Sequence, residues 1–77
     1  MNRKIRLIWT FRGADAKETA KHHVIHLKEF AVIENLHFYE SSILEENPFL
    51  CIAFIIINES DLKTYRDALK PDRGTVV

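Results

Sequence analysis

The chain holds one cysteine, two prolines, two glycines and one tryptophan in 77 residues, and it has no excess of either charge sign. The lone thiol, Cys51, forms no internal disulfide, and no Cys/His group has zinc-finger spacing, so both usual staples of a small domain are missing. Eleven Lys and Arg against eleven Asp and Glu leave no broad positive field, which argues against a dedicated nucleic-acid or anionic-membrane binder. There is no Gly-rich phosphate loop, no Cys-x-x-Cys and no nucleophile flanked by a base at motif spacing. No stretch approaches the roughly 20 apolar residues of a membrane span. The opening Met1-Asn2-Arg3-Lys4 leads into a segment charged too soon, at Arg6 and Arg12, to serve as a secretory core. These absences predict one cytoplasmic domain over residues 1–77, with Cys51 reduced and buried, and with no cofactor, no nucleic acid and no membrane.

What the chain does have is Phe49-Leu50-Cys51-Ile52-Ala53-Phe54-Ile55-Ile56-Ile57, an uncharged run rich in β-branched and aromatic residues. Alternation is absent from it, so it is predicted to be a central strand with apolar side chains on both faces. Residues 4–11 do alternate: Ile5, Leu7, Trp9 and Phe11 point one way and Arg6, Ile8, Thr10 and Arg12 the other. Gly13 breaks that strand, and Asp15 with Glu18 has the form of a capping box. The helix that follows runs to about Glu34, with Ala16, Ala20, Val24, Leu27 and Ala31 as its packing stripe and His23 and Phe30 on one shoulder. Ile25, Val32 and Ile33 fall outside the stripe and hint at a second contact surface.

Asn35 ends the helix, and residues 36–44 are predicted as a second, edge strand with a bulge near Ser41 and Ser42. Glu45-Glu46-Asn47-Pro48 then forms the connection to the apolar run. Leu62, Tyr65 and Leu69 recur at helical spacing, giving a second helix over about 60–70, closed by Pro71. Thr75-Val76-Val77 is β-prone, and its pattern leaves open whether it joins the sheet.

The order strand, helix, strand, strand, helix and optional strand is an α+β plan, the ferredoxin-like βαββα(β) sandwich: an antiparallel sheet with both helices on one face. Its two most apolar strands, the first and third, would lie in the centre. The face away from the helices then lacks cover, and the expected partner is a second copy of the chain, open face to open face. Oligomerisation also suits a chain of this length, which buries only about 60% of its unfolded surface.

In element order, size and doubly apolar third strand, the chain resembles the dimeric α/β-barrel group of ferredoxin-like proteins. That group includes cofactor-independent monooxygenases, muconolactone isomerase-like enzymes and haem-degrading relatives. The resemblance implies a homodimer and a pocket between helices and sheet that takes a small apolar molecule. No motif of the group is matched residue by residue, so no catalytic residue carries over.

Four histidines offer chemistry. His22 and His26 are one helical turn apart and Glu29 follows a turn later, a spacing that suits a divalent metal; the bland alternative is a solvated helix face. His23, at the edge of the apolar stripe, and His26 are the candidate acid or base, against the simpler reading of His23 as a partly buried, hydrogen-bonded core residue. His37 lies on the segment after the helix. Arg6 and Arg12 share the open face and, with Arg73 and Tyr39, are candidate ligand-binding residues; rim ion pairs with Glu40, Glu45 or Glu46 across a dimer are the competing role. Two functions follow: a homodimeric binding or interaction domain, or a barrel-type enzyme acting on a small apolar substrate through a histidine.

Overall fold

A computed structural model describes residues 3–77, so Met1 and Asn2, where the reading of a leader began, lie outside it. The elements are β1 (Lys4–Arg12), α1 (Ala16–Ile33), β2 (Glu40–Asn47), β3 (Leu50–Asn58), a 3-10 turn (Glu59–Asp61), α2 (Leu62–Leu69) and β4 (Arg73–Val76). The class is α+β. The four strands form one antiparallel sheet in the order β2-β3-β1-β4, which places the two most apolar strands in the middle.

The β1–β3 ladder is continuous from Lys4 opposite Asn58 to Arg12 opposite Leu50. Because side chains alternate across a strand, this register sends Ile5, Leu7, Trp9 and Phe11 to the same face as Cys51, Ala53, Ile55 and Ile57. Both helices pack there. Leu27 and Ala31 of α1 and Tyr65 of α2 join Ile5, Leu7, Trp9, Ile55 and Ile57 in one core cluster. Ala16, Ala20 and Val24 close on Cys51 and Ala53 in a second, where the small side chains let helix and strand approach. The buried set of α1 is the stripe its periodicity defines.

Three local features depart from expectation. Asp15 sits at the N-cap of α1 with no side-chain cap bond, and Glu18 reaches Lys21 at 3.9 Å instead of turning back. Two N–H groups at the start of the helix find backbone partners instead, Ala16 N–H donating to Gly13 O and Thr19 N–H to Asp15 O. Secondly, β2 begins at Glu40, not Leu36, and runs through Glu45 and Glu46 to a hairpin tip at Pro48-Phe49. Leu36 and Phe38 instead pack against the core from a coil segment. An edge strand is held by its backbone ladder, so its side chains need not be apolar, and the tight hairpin carries the pairing right up to the turn. Thirdly, the register shift falls between Glu45 and Asn47 and not at the serines; Ser41 is buried, its hydroxyl donating to Phe54 O.

The C-terminal segment does enter the sheet, with Ile5 opposite Val76 and Ile8 opposite Arg73. Gly74 suits the close approach there, because a Cβ would come within 3.1 Å of the Leu7 side chain, which would have to shift by a few tenths of an ångström. The Asp72 carboxylate extends the pairing by accepting from Thr10 N–H at 2.6 Å. Trp9 fastens α2 to the sheet by donating Nε1–H to Leu69 O at 2.8 Å, which satisfies one of the helix's last carbonyls.

Candidate functional site

The face turned away from the helices carries, row by row, Arg6 with Ile56 and Glu40, Ile8 with Arg73, Phe54 and Ser42, Thr10 with Ile52 and Leu44, and Arg12 with Leu50. Ile8, Ile52 and Ile56 belong to neither core cluster, yet each is less than a tenth exposed. Neighbours in the same rows shield them: the Arg6 guanidinium lies over the Phe54 ring, 5.3 Å from its centroid. The open apolar area is therefore smaller than the sequence of β3 implied, and it is rimmed by charge. Among the described residues, Arg6, Arg12 and Arg73 form no ion pair, and neither do Glu40, Glu45 and Glu46. Nε of Arg6 is buried without a hydrogen-bond partner. On this face the arginines belong to the β1–β4 half and Glu40 and Glu46 to β2, while Glu45, opposite Cys51, lies on the helix side.

At one end of this face Thr10, Arg12, Glu46, Leu50, Ile52, Asp72 and Arg73 line a groove of about 480 Å³, so the β2 carboxylate Glu46 shares a wall with the two arginines. The alignment brings two of the candidate arginines together over an apolar floor. Asp72 was not singled out from sequence; its one legible signal was its place just before a β-prone tail. Tyr39 lies apart from this groove. Its hydroxyl donates to Asn58 Oδ1 at 2.6 Å, the Lys4 ammonium sits 4.4 Å from its ring centroid, and His37 meets it edge-on.

The histidines of α1 divide. His23 turns inward, its ring centroid 4.9 Å from that of Trp9 and 5.4 Å from that of Phe11, with Nε2 buried and unpartnered. Burial, and after it the neighbouring His26 and His22, lowers its pKa, so the ring stays neutral where it is packed. His26 faces solvent: its Nε2 lies 2.9 Å from Nε2 of His22, and its Nδ1 lies 3.3 Å from Glu29 Oε1. The two candidate acid–base residues thus do not share a cavity. Two further grooves, about 390 Å³ between β4 and α2 and about 350 Å³ between α1 and β2, also have no histidine in their walls. Glu29 reaches the ring nitrogen of His26 remote from His22, and among the described residues no group of three His, Cys, Asp or Glu forms a metal-binding set.

Cys51 is buried and unpaired, and burial pushes its thiol above the ordinary range, with Glu45 adding to the effect. An inert core thiol is what that environment makes. No described helix is long and apolar enough to cross a membrane. No protein-family model, no curated protein and no solved structure matches the chain.

Proposed function

We propose that this chain is a ferredoxin-like interaction domain of the cytoplasm that works as a homodimer, its two helix-free sheet faces packed together. The observation that carries the proposal is the division of charge on that face around an apolar middle. A two-fold axis parallel to the strands would set β2 of one copy against the β4 side of the other. Glu40 would then come within reach of Arg6 and Arg73 of the second copy, and Glu46 would lie toward its Arg12. Four strands about 4.8 Å apart and about 30 Å long present roughly 500 Å² a side, the low end for a specific interface. Charge complementarity sets the register of such a contact and speeds its formation.

The strand order with β1 and β3 central, and both helices on the opposite face, supports the ferredoxin-like assignment. The arrangement favours interaction over the enzyme reading, because none of the three grooves is reached by a histidine. Light scattering at micromolar concentration tests it: the expected mass is twice 9.0 kDa. Phe54→Asp, in the middle of the face, should give a folded monomer by circular dichroism. A wild-type chain that is monomeric at these concentrations removes the proposal.

A further inference from the structure

We propose that His22 and His26 form a two-imidazole chelate for a divalent transition-metal ion of tetragonal preference, Cu²⁺ or Ni²⁺, with Glu29 as the carboxylate that orients it. The site is independent of the sheet face, since it lies on the solvent side of α1. Residues one turn apart stand above one another on a helix, and here that stacking brings the two Nε2 atoms to 2.9 Å, with the rings nearly perpendicular at 81°. Without an ion, one Nε2–H donates to the other nitrogen. With one, both nitrogens present lone pairs to the same point.

The separation discriminates among metals. Bonds of about 2.0–2.1 Å to nitrogens 2.9 Å apart subtend about 90° at the ion, the cis angle of square-planar and octahedral complexes. A tetrahedral Zn²⁺ site would hold its nitrogens about 3.3 Å apart. The second observation is the contact of Glu29 with Nδ1 of His26. A carboxylate 3.3 Å from the far ring nitrogen favours the tautomer that leaves Nε2 free to ligate. His23 takes no part, because its ring is held between Trp9 and Phe11. The nearest charged pair on the helix, Lys21 with Glu18, is engaged with itself. No third protein ligand joins the pair among the described residues, so water fills the remaining positions and the site stays open.

The test is titration of the intact chain with NiCl₂ or CuCl₂, followed by calorimetry and by paramagnetic broadening of backbone amide signals. One ion per chain is expected, with broadening centred on residues 22–29, and Mg²⁺ should give neither signal. His22→Ala or His26→Ala should abolish the strong binding, and His37→Ala should leave it intact. Glu29→Gln should weaken it about 10-fold, the size of a lost orienting contact. All four positions are exposed, so these variants keep the fold, which circular dichroism verifies. Absence of binding, broadening centred elsewhere, or affinity unchanged in His22→Ala would overturn the chelate; Glu29→Gln equal to wild type would overturn the orienting role.

Discussion

Among the described residues Tyr65 is the largest fully buried side chain, and its hydroxyl has no hydrogen-bond partner there. A buried hydroxyl left unpaired costs about 1–3 kcal/mol, so Tyr65→Phe should leave the core intact and raise stability by about 1 kcal/mol in urea denaturation. Burial, with Asp61 adding to it, pushes the phenol up to about 12 from an ordinary value of 10.0. Between those two values the unfolded chain gives up the phenolic proton while the folded one keeps it. The Tyr65 contribution should therefore be level below pH 10 and stability should decline as pH rises toward 12, and Tyr65→Phe should remove most of that decline. The sequence placed Tyr65 on a packing stripe through its spacing from Leu62 and Leu69. It held no sign of the orphaned hydroxyl, because a partner is decided by what lies opposite in space. The same holds for His22 and His26: their turn spacing was legible, whereas the meeting of two Nε2 atoms and the placement of Glu29 depend on rotamers.

At the scale of elements, the helix ends show how local chemistry stops each segment. After α1, Asn35 takes a left-handed conformation, φ 55°, with Asn35 N–H donating to Val32 O and Leu36 N–H to Ala31 O. That is the Schellman pattern, and Asn is among the few side chains that accept it readily. At the end of α2 the left-handed residue is Lys70, φ 47°, its N–H donating to Arg66 O. A lysine there carries a steric penalty of about 1 kcal/mol that glycine escapes. Lys70→Gly should raise the urea midpoint by the equivalent of about 0.5–1 kcal/mol with an unchanged slope, and Lys70→Ala should give no gain. Helix α1 was legible down to its five buried residues because a 3.6-residue period of small and apolar side chains has one solution. Strand β2 was placed four residues too early: Leu36-His37-Phe38-Tyr39 is aromatic and apolar because it closes one end of the core, while Glu40–Asn47 is polar because it pairs at an edge.

Over the whole molecule, one sheet face is finished by helices and the other by charge. If the second face meets its own copy, Glu40→Arg and Arg73→Glu should each weaken association by at least about tenfold, or 1.4 kcal/mol, and the double variant should regain much of the loss. Sedimentation equilibrium of the four proteins gives that comparison. The apolar character of both faces of β3 was legible from the missing alternation in 49–57. The shielding of Ile8, Ile52 and Ile56 was not, because it depends on Arg6 and Phe54 being neighbours in a register that only the assembled sheet defines. The tie between Trp9 and Leu69 O has a practical corollary. As the chain has one tryptophan, its fluorescence comes from an indole clamped between sheet and final helix. Release of that helix alone would redden and dim the emission while far-ultraviolet dichroism of the strands held, so the molecule contains its own optical gauge of whether α2 has come away.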